Sequence, residues 1–326
     1  MPISEEEDLV MGSTTGTEPP ASTPPRRSTA FKWILGYLWP WNALYTGIAL
    51  LTWLYLTPDL ARMKHFAPDW VGLIFLRNLG LIILYVGAWH LPLYRRRTQG
   101  TQYKYNARWL TTENSAFAFQ DQVLDNLFWT LCSAVPIWTA YEVATFWCQA
   151  NGLIPTINFW AHPLYCTLVL LSIPAFRSLH FYAIHRWIHW PPLYRTIHYL
   201  HHKNVNPGPW SGLAMHPVEH LLYFSAVLLH WVIPSHPAHV LVHLQQLALS
   251  PCTGHSGFDK VLLGTRASLD THGYTHYLHH RYFEVNYGGE LIPVDRWMGT
   301  FHDGSAEAQA AMRQRLQRRR HKGSPA

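Results

Sequence analysis

The chain is predicted to be an all-α integral membrane protein. It should have four transmembrane helices, a short apolar helical hairpin and a histidine-rich helical region on the cytosolic face. Three observations predict this. The sequence is 48% hydrophobic and only 13% charged, where soluble domains carry about a quarter charged residues. Its apolar residues gather into long stretches closed by polar or basic residues. Its histidines repeat one spacing after the last of the long stretches.

The elements follow in order. Residues 4–8 are acidic and residues 12–29 are rich in Ser, Thr, Pro and Gly. This head lacks the positive start and early apolar run of a signal peptide, and residues 1–32 are predicted to be disordered. The first apolar stretch, 33–57, and the second, 70–93, are each long enough for a helix across a ~30 Å core. Arg95-Arg96-Arg97 close the second stretch, which places that end in the cytosol by the positive-inside rule. Residues 33–125 then read as a membrane hairpin followed by an amphipathic surface linker, 98–125. Two further stretches, 127–148 and 159–184, return the chain to the cytosol just before His185. Arg186 and Arg195 lie there. Two shorter apolar runs, 218–233 and 238–250, are split by Pro234-Ser235-His236-Pro237 and read as a tilted or re-entrant hairpin. It delivers His216 and His255 to one side. After Gly257 the chain turns soluble in character and ends in a basic tail, 304–326.

Charge and cysteines narrow the class. Net charge is +6, held in short clusters at segment ends, which suits membrane anchoring and not a nucleic-acid groove. Cys132, Cys148, Cys166 and Cys252 form no C-x-x-C pair and read as buried thiols, not a disulfide framework or zinc knuckle.

The chemistry lies in three clusters: His185-Arg186-Trp187-Ile188-His189, His198-Tyr199-Leu200-His201-His202, and His276-Tyr277-Leu278-His279-His280. Residues three and four apart share a helix face, so each cluster is expected to aim two or three imidazoles at a single point. Imidazole is the commonest metal-ligating side chain. A structural zinc site closes with four ligands, too few for this set. A carboxylate-bridged di-iron bundle needs Glu-x-x-His pairs, which are missing. A nearly all-histidine pair of irons fits the ligand count best. A membrane metal transporter or metal-binding protein is the rival from another class. Transporters place ionisable groups near the bilayer midplane in broken helices, whereas these clusters fall at or beyond segment ends. A zinc hydrolase of the H-E-x-x-H type is opposed by Arg186 at the glutamate position. His162, His230, His236, His239 and His243 lie in or near apolar segments and read as structural, interfacial or substrate-lining.

The order of motifs resembles the fatty acid hydroxylase / sterol desaturase superfamily of membrane histidine-box enzymes. The resemblance rests on His185 to His189, His198 to His202, His216-Pro217-Val218-Glu219, His255-Ser256-Gly257 and His276 to His280, with Asn286-Tyr287-Gly288, Asp295 and Gly299-Thr300 after them. It covers residues 126–303, read as the catalytic domain. It implies a non-haem di-iron monooxygenase-type oxidoreductase that hydroxylates or desaturates a C–H position of a lipid. A sterol or related lipid is favoured, with a fatty acyl chain or secondary metabolite as the alternative. It implies O2 as co-substrate and electrons from cytochrome b5 or an NAD(P)H-dependent reductase, with no separate catalytic residue. By the same resemblance the metal ligands are His185, His189, His198, His201, His202, His216, His255, His276, His279 and His280. Glu219, Asp270 and Asp295 are candidates to hold ligand N–H groups, joined by His180, His220 and His272. Members often carry an Asp seven residues before the first box histidine; here that residue is Ser178, so that if this carboxylate orients a ligand, His180 or another residue must substitute. Phe181, Tyr182, Trp187, Trp190 and Trp210 are candidates either to line a substrate path or to anchor at the membrane interface. The expected setting is the endoplasmic reticulum membrane, multi-pass with a cytosolic site, or the inner membrane of a bacterial host.

Overall fold

Proline divides the first apolar stretch. In the computed structural model, which describes residues 30–289 and 291–323, α1 (Ala30–Leu38) and α2 (Trp41–Leu56) meet at Trp39-Pro40. A proline ring removes an N–H and clashes with the preceding turn. The stretch is therefore two helices of 9 and 16 residues, each shorter than the ~20 residues that span a bilayer core. The predicted disordered head falls outside the described residues except for its last three.

α3 (Pro68–His90) runs on through a wide turn, Leu91–Arg95. The linker after it is largely irregular up to Asp121. Its backbone straps the region after the metal-side motif: Tyr105 N–H donates to the Gly257 carbonyl at 3.0 Å, and Asp259 N–H to that of Tyr103 at 2.8 Å. α4 (Gln122–Trp129) joins α5 (Val135–Ala150) through a wide turn, Thr130–Ala134. α6 spans Pro163–Ile188. Among the described residues, Pro68–Arg95 and Pro163–Ile188 are the two helices long and apolar enough to cross a membrane. The predicted four full crossings are thus not reproduced. The α4–α5 pair buries Asp125, Asn126 and Glu142, polar groups that lower its apolar character. Glu142 is ion-paired with Arg77 of α3 and accepts from Asn78 Nδ2 at 3.0 Å.

The expected re-entrant hairpin is resolved differently. Its first arm is α8 (Pro217–Phe224) followed by a tight turn of helix, Ser225–Trp231, and comes after the short α7 (Tyr199–His202). Its second arm, α9 (Pro237–Gly254), is buried almost throughout. α9 packs against α2, α3, α5 and α6, and Val240, Leu241, Leu244, Leu247 and Leu249 lie in the main apolar core. A helix buried on every side, with Gln245 and Gln246 as fully enclosed as its leucines, lies inside the bundle, so the second arm is a central helix and not a membrane edge.

The chain past His255 is not purely helical. Lys260–Leu263 (β1) and Ala267–Asp270 (β2) pair antiparallel, Lys260 opposite Asp270. α10 (Tyr274–Tyr282) carries the third histidine cluster, and α11 (Ala306–Gly323) ends the described chain. Cys148, Cys166 and Cys252 are buried as expected, whereas Cys132 is exposed.

Candidate metal centre

The histidine clusters converge, but on two points. His185, His189, His198, His202 and His279 form one group, and His201, His255, His276 and His280 a second; within each, the ligand atoms lie within 4.8 Å of one another. Helix geometry explains the split. Neighbours in a helix point about 100° apart while residues four apart align. The second cluster thus sends His198 and His202 to one group and His201 to the other. The third cluster does the reverse: His276 and His280 go together and His279 crosses over. The C-terminal end of α6 adds His185 and His189 to the first group, and the residue after α9 adds His255 to the second. A wide turn, Tyr194–His198, leads into the second cluster; such turns often mark functional sites.

Five of the nine rings have an acceptor behind them that fixes the tautomer, whereas His202 Nδ1 and His280 Nδ1 are buried without a partner. His185 Nδ1–H donates to the Tyr287 carbonyl at 2.6 Å, and His279 Nδ1–H to that of Val285 at 2.6 Å. His255 Nδ1–H reaches the Pro251 carbonyl at 2.8 Å, and His201 Nδ1–H that of Ala214 at 3.3 Å. Glu219 Oε1 accepts from His198 Nδ1 at 2.8 Å. A carbonyl or carboxylate only accepts, so the proton sits on Nδ1 and Nε2 presents a lone pair.

The Nε2 atoms of each group face one another. In the first group Nε2 of His185 lies 3.0 Å from Nε2 of His198, and that of His279 lies 3.0 Å from that of His202. In the second, Nε2 of His255 stands 3.0 Å from that of His276 and 3.1 Å from that of His280. Burial, reinforced by neighbouring imidazoles, holds His198, His201, His202, His276, His279 and His280 well below the usual histidine value. Burial likewise lowers His255 to about 4. His201 and His255, both with Nδ1 held by a carbonyl, present bare nitrogens to each other at 3.3 Å, which repel unless a cation lies between them. The donor set therefore fits two metal ions, and neutral imidazole is the form that binds metal.

The remaining candidates separate cleanly. His216 joins neither group: its Nδ1 accepts from Val218 N–H at 3.2 Å and caps α8. His220 is buried between Ser133 Oγ and the Leu213 carbonyl and joins neither group. Asp270 and His272 pair with each other at 3.3 Å with half-exposed side chains, and Asp270 supports no ligand. His180 meets Ser225 Oγ at 3.2 Å; the substitute is instead the Tyr287 carbonyl. Asp295 acts one step back. It accepts from Tyr287 N–H at 2.9 Å, Gly288 N–H at 2.7 Å and Thr300 Oγ1 at 2.6 Å, holding the turn whose carbonyl orients His185. Asn286 donates to the carbonyls of Thr275 and His302 and fastens that turn to α10. The backbone carbonyls of Ala214, Pro251, Val285 and Tyr287 went unpredicted, since side-chain identity carries no sign of them.

A cavity of about 340 Å³ opens onto both groups, with His185, His198, His201, His255 and His276 on its wall. α1 and α2 cover it through Trp33, Tyr37 and Trp41. Of the five aromatic candidates, Phe181 lines it, Tyr182 and Trp210 are buried in packing, and Trp187 and Trp190 are exposed.

Residues 169–300, which hold all of these histidines, match the fatty acid hydroxylase family. This region belongs to the fatty acid hydroxylase / sterol desaturase superfamily. The chain is also similar to fungal proteins named Delta(7)-sterol 5(6)-desaturase. The protein from Candida glabrata is 28% identical over 180 residues, covering 52% of this chain and 47% of its own. That from Candida dubliniensis is 31% identical over 177 residues, covering 50% and 43%. That from Eremothecium gossypii is 29% identical over 137 residues, covering 40% and 37%. The chain thus spans less than half the length of these relatives. No solved structure matches it.

Proposed function

We propose that this chain is a membrane-bound, iron-dependent oxidoreductase that hydroxylates or desaturates a C–H position of a lipid, using O2 and external electrons. The observation that carries the reading is the pair of converging imidazole groups on the wall of one cavity. Two irons, one held by His185, His189, His198, His202 and His279 and one by His201, His255, His276 and His280, would supply the O2 and C–H chemistry that side chains cannot. The chain's own residues do the rest. Glu219 keeps the proton on His198 Nδ1, and the four carbonyls keep it on theirs, so that Nε2 stays bare. The cavity wall orients the lipid and excludes water. A sterol or related lipid is the favoured substrate, supported by the names of the similar fungal proteins; a fatty acyl chain is the alternative within the same chemistry.

The proposed setting is a multi-pass place in the endoplasmic reticulum membrane with the centre facing the cytosol. Arg95, Arg96 and Arg97 after α3, and Arg186 and Arg195 beside the first cluster, support that orientation. Electrons would come from a separate donor, cytochrome b5 or an NAD(P)H-dependent reductase. The test is metal content, reductant-driven O2 uptake and lipid profiling on the purified full chain and on cells with and without it. Two irons per chain, O2 uptake and an oxidised lipid are expected. Metal movement into vesicles without O2 uptake would overturn the reading in favour of a transporter.

A further inference from the structure

Among the described residues, the cavity wall carries one arginine that the metal chemistry does not use. Arg177 sits on α6, on the wall shared with His185 and Phe181. One of its terminal nitrogens donates to Ser250 Oγ. Its Nε is buried with no hydrogen-bond partner. No described carboxylate lies within ion-pair range of it, whereas Arg77, the buried arginine of α3, is paired with Glu142. Glu219 is the only carboxylate among the described lining residues, and it is engaged with His198. A guanidinium does not give up its proton in a protein. Arg177 is partly buried; a charge drawn out of water is costly unless it is paired, and an ionisable residue within a membrane helix points to a ligand or an ion path.

We propose that Arg177, with Ser250 beside it, binds an anionic oxygen group on the lipid that fills this cavity, a carboxylate, sulfate or phosphate. The inference rests on the oxidoreductase reading and narrows its substrate class to an acidic lipid, a sterol-related acid or sulfate or a fatty acid, in place of a free sterol or other neutral alcohol. Two metal ions on neutral imidazoles would leave the wall still more positive, which favours the same charge. Arg177 and His185 are eight residues apart on one helix, about 12 Å at 1.5 Å per residue. The acid group is therefore held at a distance from the centre, and Arg177 fixes which carbon comes to it.

The test is binding to the full chain in nanodiscs, loaded with iron, using two matched pairs of tritiated probes: palmitate against hexadecanol, and cholesterol sulfate against cholesterol. In at least one pair the acid should bind tenfold or more tightly than the alcohol. Arg177→Met should bring the acid to the level of the alcohol, and Arg177→Lys should restore part of the preference. Bound iron should be the same in all three proteins. Equal affinity within both pairs for the wild type overturns the proposal, as does a preference that survives in Arg177→Met. If Arg177→Met fails to fold, seen as lost iron, the wild-type pairs and Arg177→Lys still decide. Absent iron and absent O2 uptake alongside a clear acid preference would instead overturn the oxidoreductase reading and leave the subsite standing.

Discussion

His201 and His202 are adjacent in sequence yet belong to different groups, so single substitutions should separate the two sites. His201→Ala is expected to lose the ion of the second group and His279→Ala that of the first, each leaving about half the bound metal and no turnover. His216→Ala should keep both, because that ring caps a helix. Metal analysis of the three variants checks this, and equal loss in all three would contradict the division. Behind the ligands, Glu219→Ala removes the acceptor for His198 Nδ1. Loss of such a supporting acceptor typically weakens metal affinity about 10- to 100-fold, to be read from chelator competition. Protonation acts on the same rings. His255 is held at about 4 by burial, against roughly 6.5 in an unfolded chain. Between those values the unfolded chain binds the extra proton, so stability falls as pH drops from about 6.5 towards 4. Metal-free protein should therefore unfold at lower denaturant at pH 5.5 than at pH 7.5; equal stability would contradict it.

At the scale of elements, the histidine-bearing pieces are placed by contacts that lie outside the clusters. Gly257, after the last residue of the His-Ser-Gly motif's polar pair, has φ +78, and a Cβ there would meet the Tyr94 hydroxyl at 2.2 Å and the Pro207 carbonyl at 2.9 Å. Gly257→Ala should cost about 1–3 kcal/mol and shift His255, lowering metal content while the first group keeps its ion. α3 and α5 are joined across the apolar layer by Arg77 and Glu142, with Asn78 and Thr139 beside them. Arg77→Met leaves a buried carboxylate unpaired and should cost about 3–5 kcal/mol. The double variant Arg77→Met/Glu142→Leu should recover much of that loss in a denaturation series. The same polar pair explains why the helical nature of residues 127–148 was legible while their role as a lipid-facing span was not.

At the scale of the whole molecule, one metal-binding unit is assembled from α6, α7, α10 and the end of α9, which are far apart in sequence and share no local reason to meet. The apolar core built around α9 brings them together, and the metal then acts as a ligand of the folded state alone. Such a ligand stabilises by mass action, so chelation should lower the unfolding temperature and added ferrous iron should restore it.

Sequence alone determined which residues could bind metal, since spacing of three and four on a helix is a local property. It also determined the order of the apolar stretches and the family that the motif order resembles. Tertiary structure decided the rest. It set aside His216, Asp270, His220 and His272, gave Asp295 its place behind Tyr287, and divided nine histidines between two centres. It turned the supposed hairpin arm into the central helix and broke the first stretch at Pro40. The physical reason is that facing directions and backbone acceptors depend on how helices pack, and packing joins residues that no local pattern connects.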